Sequence, residues 1–301
     1  MELRIKPLGL FALALLLLGI SLGVTRLLNR GVASAENAPR SGSNGVRGGG
    51  EVLLVTSKTK KDWLQTEIEK FNAKNQGRLT VKVEFLETRD ALQEILNGKV
   101  KPALWAPSSP IWTSRLGEAW SVGHGGKKLL SVSDPATFRI YLRTPMVILT
   151  TKEKAPALRA ILGGSDPWNG LRGLNTGSRS VPWGTFKYTY ADPLNANSGF
   201  LTLGMILADY GQRTQPSVDL KIVAESDGFK SFVRDLNTKL VYDEPSRKGS
   251  SDLFKAFLAD PNRYDFITTY ESNAIGAAEK NPELAVIYPM PTAVAEQSVV
   301  L

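Results

Sequence analysis

The apolar positions of the first hundred residues after position 50 change period several times. Glu51–Thr56 is a β-branched run and Leu79–Leu86 alternates in twos, the period of a strand. Asp62–Lys74 and Asp90–Leu96 recur in threes and fours, the period of a helix, with Gly77 and Gly98 as their stops. Pro102–Ala106 reads as a third short strand. A β-α-β-α-β order predicts parallel strands joined by crossover helices. The first helix is expected to turn Trp63, Ile68 and Phe71 towards a core. Residues 113–144 show no clean period. Trp120, the Gly123–Gly126 loop, Lys127-Lys128 and Asp134-Pro135 predict a surface excursion there. Pro145–Thr151 is then a buried strand, and a crossover between two lobes is placed near 143–152.

After a short helix at Ala155–Leu162, the interval Gly163–Val181 is rich in Gly, Ser, Asn and Pro and is expected to be loop, pinned by Trp168 and Leu171. The alternation then resumes. Strand Phe186–Tyr190, helix Phe200–Tyr210, strand Leu220–Ala224, helix Phe229–Asn237 and helix Leu253–Leu258 follow one another. A strand from Asp265 ends in a polar cluster at Asn273, helix Ala274–Glu279 follows, Ala285–Tyr288 is a last strand, and Met290–Val300 is extended again. A second lobe of similar build, with a cleft between the two, is therefore predicted.

Candidate chemistry gathers where strands give way to helices. In Ala191–Gly199, Asn197 or Ser198 is placed to cap the next helix, and Gly199 to leave the backbone bare for an approaching group. First-turn N–H groups at the positive end of a helix dipole suit an anion or a polar ligand. Ser57-Lys58 and Pro107–Trp112 stand at the carboxyl ends of the first and third strands, where open parallel sheets take their ligands. Serine before a helix is also simply a cap.

Composition narrows the options. The chain has 301 residues, a net charge of +8 and no cysteine, which excludes disulfides, thiolate metal sites, thiol catalysis and a lipid-bearing cysteine. Residues 1–50 hold six basic and two acidic residues, so half of the charge belongs to the N-terminus and the remainder is only mildly basic. That body carries no aromatic–basic stripe, and nucleic acid is not expected as a partner. His124, the single histidine, lies in a glycine loop and supports neither a zinc site nor a triad. No Gly-rich phosphate loop, HExxH or GxSxG occurs, so neither enzymatic activity nor a cofactor is expected. Arg4 and Lys6 precede an uncharged apolar run, Leu8–Val24, long enough to reach the lower limit of a membrane span. The small-x-small site that follows the apolar run, Ala33-Ser34-Ala35, lies beyond Arg26 and Arg30, which favours an uncleaved anchor over a cleaved signal. The division expected is 1–30 signal or anchor, 31–50 flexible tether, 51–145 first lobe, 146–288 second lobe, and 289–301 a strand crossing back towards the first lobe.

Taken together, Thr56-Ser57, Ala106–Trp112, Gly184–Phe186, Asp192-Pro193 with Asn197-Ser198-Gly199, and Phe266–Glu271 resemble the bacterial extracellular solute-binding proteins. The likeness is to the type II periplasmic-binding-protein class, near the molybdate/sulfate-type proteins of ATP-binding-cassette transporters, and covers residues 51–301. It implies an α/β fold of two lobes with crossing strands, closing on a ligand in the interlobe cleft by hinge motion. Carried over, the lining residues are Ser57, Ser109, Asn197, Ser198, Tyr270 and Glu271. Members of the family run on past the last crossing strand into first-lobe helices, whereas this sequence stops at Leu301, as a fragment or a truncation would. Similar modules are fused to von Willebrand factor A-type domains, and an apolar anchor without a lipid-bearing cysteine fits that fused class.

The resemblance and the residues imply a membrane-anchored, extracytoplasmic module that captures a small polar or anionic solute. Its partners would be a transporter permease or a von Willebrand factor A-type domain. The alternative is an interaction scaffold that has kept the fold, with Trp112, Trp120 and Trp168 as contact surface. The sign of the ligand's charge stays open: Lys58 turned inward would favour an anion, Glu271 a cationic or amino-bearing ligand.

Overall fold

The computed structural model describes residues 50–129 and 134–301, which fall into two units. The apolar N-terminal segment and its tether lie outside the described residues, and among these no helix is long and apolar enough to cross a membrane. The first unit comprises residues 50–143 and Glu296–Leu301, the second Thr144–Ala295.

In the first unit β1 (Gly50–Ser57) pairs in parallel with β2 (Leu79–Leu86) on one side and β3 (Leu104–Ala106) on the other. The last strand, β8 (Val294–Val300), adds antiparallel to β3 with Trp105 opposite Val300. Successive side chains of a strand point to opposite faces, and each face here has its own cover. Val52 and Leu54 join Leu104, Ala106 and Val299 beneath Leu64 and Ile68 of α1 (Lys61–Lys74). Val55, Trp105 and Val300 pack beneath α2 (Thr88–Leu96) and α3 (Pro110–Gly123) through Ala91, Leu92, Trp112 and Leu116. Burial on both faces explains why β1 reads as a continuous apolar run. The inward stripe of α1 is Leu64 and Ile68, and Trp63, one position and about 100° away, is 38% exposed and not in the core. The expected surface excursion after residue 113 is met in part: α3 runs on to Gly123 and β4 starts at Phe138, whereas residues 124–128 between them form an exposed turn.

In the second unit β4 (Phe138–Thr151) lies antiparallel to both β7 (Leu284–Ile287) and β6 (Phe266–Tyr270), and β6 is parallel to the short β5 (Tyr188–Thr189). Met146 and Ile148 face α4 (Ala155–Leu162), α5 (Pro167–Thr176), α6 (Asn197–Thr214) and α8 (Asp227–Leu236). Val147 and Leu149 face α10 (Ser250–Ala259), which directly follows the short α9 (Glu244–Lys248), and α11 (Glu271–Lys280). Two segments differ from expectation. The predicted loop at 163–181 contains α5, opened by the Asp166 carboxylate on the Asn169 N–H and closed by Gly177 at φ 85. Its Trp168, Leu171 and Leu174, three apart, are buried as one helical stripe. The predicted strand Leu220–Ala224 is the helix α7 (Leu220–Glu225), capped by Asp219, in which Val223 is buried while Leu220 and Ile222 are exposed.

Candidate ligand-binding site

In the second unit the polar side chains at the starts of α6, α10 and α11 are drawn together. Asn197 Nδ2 donates to Tyr270 Oη at 3.0 Å, and Ser198 and Ser250 share a hydroxyl–hydroxyl bond of 2.7 Å. Thr202 Oγ1, one turn on, bonds the Ser198 carbonyl and reaches Thr268 at 2.8 Å, which ties α6 to β6. The N-caps of α6 and α10 are Ala196 and Gly249, which have no side-chain oxygen. Neither Asn197 nor Ser198 is a cap, contrary to the sequence reading; both sit inside the first turn, buried. The first-turn N–H groups of Ser198, Gly199, Ser250 and Ser251 thus have no intrahelical acceptor. At α11 the Ser272 N–H is taken by Thr144 Oγ1 at 3.2 Å. Gly199 is bare because the chain's own backbone approaches: a Cβ there would lie 1.8 Å from the Ala191 carbonyl oxygen.

Glu271, the other residue carried over in this unit, points its carboxylate at Tyr288 Oη, 2.6 Å away. That bond, with burial and the carboxylate's charge adding to it, pushes the phenol's pKa up to about 12. The Asn197–Ser198–Ser250 cluster is therefore built from hydroxyl and amide groups, with the Glu271 carboxylate engaged elsewhere.

In the first unit Ser57 and Ser109 stand at the carboxyl ends of β1 and β3. Each occupies an N-cap position, and neither side chain makes a capping bond. Ser57 Oγ instead bonds Thr59 Oγ1 at 2.9 Å. Ser109 Oγ is buried and has no hydrogen-bond partner among the described residues. Gln297 Oε1 and Ser298 Oγ share that condition, and because β8 runs antiparallel to β3 they lie towards the same edge of the sheet. Buried polar atoms are nearly always hydrogen-bonded, so these three, two hydroxyls and an amide oxygen, leave hydrogen-bonding capacity unused at one edge of the sheet. Sequence reasoning missed Gln297 and Ser298, since the pairing of β8 with β3 alone brings them there.

The positive charge at this edge is also not where the sequence placed it. Lys58 is half-buried, whereas Lys60 is 3% exposed and donates to the Ala106 and Pro107 carbonyls at 2.7 and 3.1 Å. A cavity of about 260 Å³ opens near the other end of β3, lined by Val100, Pro102, Trp105, Trp120 and Val300 with Lys101 among them. Its walls are largely apolar, and it suits a polar solute poorly.

No family model matches this sequence, and no curated protein matches it. Solved structures do resemble it. The sulfate-binding protein SubI from Mycobacterium tuberculosis H37Rv superposes with a TM-score of 0.58 at 18% identity, over 84% of this chain and 75% of that one. The periplasmic binding protein AfuA from Actinobacillus pleuropneumoniae, with fructose-6-phosphate bound, gives 0.57 at 11% identity over 83% and 73%. The substrate-binding protein of an ABC transporter from Agrobacterium tumefaciens gives 0.55 at 14% identity over 84% and 69%. These neighbours are solute-binding proteins of the periplasmic and ABC-transporter class, and at such identities what this chain shares with them is the fold. The two α/β units described above are that fold.

Proposed function

We propose that this protein is an extracytoplasmic solute-binding protein for a small oxyanion, or a solute presenting an oxyanion group, and that it delivers its ligand to a transporter. The observation that carries the reading is the pair of buried, unsatisfied hydroxyls of Ser109 and Ser298 at the carboxyl edge of the first unit's sheet, which can each donate to an anion. The uncapped starts of α6 and α10 in the second unit supply backbone donors of the same kind. Hydrogen bonds from such groups to an ionised oxygen are the strong, charge-assisted type, so a dehydrated anion is held without a surface of lysines. The hinge closure implied by the resemblance and an anchor at residues 8–24 are parts of the same proposal. Sulfate-binding by SubI and sugar-phosphate-binding by AfuA are in keeping with an oxyanion.

The test is calorimetric titration of the full chain with sulfate, molybdate, phosphate and a sugar phosphate. One of them is expected to bind, and Ser109→Ala and Ser198→Ala each to weaken it about 10- to 100-fold, the worth of a hydrogen bond to a charged group. Binding left unchanged in both variants would reject the site. Absence of binding by all four would reject the function.

A further inference from the structure

Among the described residues of the first unit Lys60 is the best-buried cation and has no carboxylate in salt-bridge contact, and its surroundings give it a defined task. Two of its donors are fixed on consecutive carbonyls, Ala106 and Pro107, at 2.7 and 3.1 Å. Thr56 Oγ1 shares the Ala106 oxygen at 2.9 Å. In a trans peptide the C=O and the N–H point in opposite directions. Because the Pro107 carbonyl is turned back onto Lys60, the Ser108 N–H of the same peptide faces away from it, and the chain enters Ser109 from that orientation. Lys60 therefore sets how the loop ahead of α3 presents its donors. The residue beside it on β4 is Tyr141, with the amine 5.5 Å from the ring centroid.

We propose that Lys60 is the positioning residue and internal counter-charge of the oxyanion site: it clamps the 106–109 loop from behind and takes up a proton from water when an oxyanion binds. This rests on the function proposed above and adds its regulation by proton uptake. A neutral amine satisfies both carbonyls with its two hydrogens, and the ammonium form does the same with one proton to spare, so the clamp holds in either state. Burial lowers the amine's pKa well below its ordinary value, and no neighbouring charge contributes to that shift. Tyr141 is the titratable group in contact with it, and burial pushes its phenol up, so it stays neutral while the amine titrates. The other buried titratable group by the loop is Glu87, next to Thr88, whose hydroxyl bonds Ser108 at 3.2 Å. An anion at the loop stabilises the ammonium form across a low-dielectric gap. Proton uptake and anion uptake are then linked.

The experiment is calorimetry of the full chain with sulfate and with molybdate, dianions that do not themselves titrate between about pH 6 and about pH 10, in paired buffers of different ionisation enthalpy. Above the free amine's pKa, affinity is expected to fall about tenfold per pH unit, with uptake approaching one proton per anion. Lys60→Arg keeps a charge that does not titrate, so it is expected to bind with a flat pH profile and no uptake. Lys60→Met is expected to bind weakly and also without uptake. A wild-type profile that is flat, with binding intact and no proton taken up, overturns the inference and leaves the function standing. The same overturning follows if Lys60→Arg keeps the wild-type pH dependence, since another group then carries the proton. If neither sulfate nor molybdate binds at any pH, this inference falls, and the proposed function falls with it only if phosphate and the sugar phosphate also fail to bind. The wild-type and arginine measurements decide the matter even if Lys60→Met fails to fold.

Discussion

A Cβ on Gly199 would stand 1.8 Å from the Ala191 oxygen and 2.7 Å from its carbon, and both belong to backbone that cannot rotate aside. Gly199→Ala must therefore push the loop off the start of α6, and a loss of more than about 3 kcal/mol is expected in urea unfolding, above the usual range for overpacking. A loss below about 1 kcal/mol would show that the loop yields easily. Ser109 behaves in the opposite sense. Its hydroxyl is buried without a partner, so Ser109→Ala removes an unmet desolvation cost and is expected to leave stability unchanged or slightly raised. Residues of this kind are legible in sequence, because a serine or asparagine between a strand and a helix is placed by the turn itself. Lys60 was not legible. In Lys58-Thr59-Lys60-Lys61 each lysine has the same local pattern, and a rotation of about 100° per residue decides which enters the interior. Glu271 adjoins Tyr270 in sequence, yet its carboxylate is claimed by Tyr288 from the end of another strand.

At the level of elements, β4 shows why the strands were readable. Met146 and Ile148 belong to one core, Val147 and Leu149 to the other, so the apolar run Met146–Leu149 states a strand covered on both faces. Helices α5 and α7 were missed for a different reason. The Gly and Asn residues of α5 are helix-poor in isolation, and its burial against α8 and β4 overrides that preference; α7 is a single β-branched turn held by its cap. The elements of the second unit are also joined by a buried ion pair. Lys154, at the start of α4, lies 2.8 Å from Asp265, which precedes β6 and accepts the Lys187 N–H at 2.7 Å. Replacing such a pair by apolar groups is often neutral, whereas removing one partner leaves a buried charge. Lys154→Met is accordingly expected to lose about 3–5 kcal/mol. A thermal shift of under about 2 °C would instead place water beside Asp265.

For the whole molecule, the buried phenols set an alkaline limit. Burial, with the Asp192 charge adding to it, pushes Tyr190 up to about 12, and burial holds Tyr188 and Tyr141 above their ordinary value as well. A phenol whose pKa is raised by folding lends stability that is complete below the unfolded value of about 10 and is lost as pH climbs towards the folded value. Each of the three is expected to cost about 1.4 kcal/mol per pH unit above about pH 10. Lys60 works the other way, since the unfolded chain holds its proton up to about pH 10.4. Urea midpoints measured from about pH 9 to about pH 11.5 check this, and a curve without a decline above about pH 10 would contradict the burial of these rings. One further property follows from the pairing of β3 with β8. During synthesis the second unit, Thr144–Ala295, is translated in one piece and has all its strands as soon as it emerges. The first unit is different: the strand that covers the free side of Ala106 and its neighbours leaves the ribosome about 10–40 s later, at ordinary translation rates. Through that interval β3 offers an unpaired edge to any other nascent strand, so the part of this protein made first is the part finished last, and the one most in need of a chaperone.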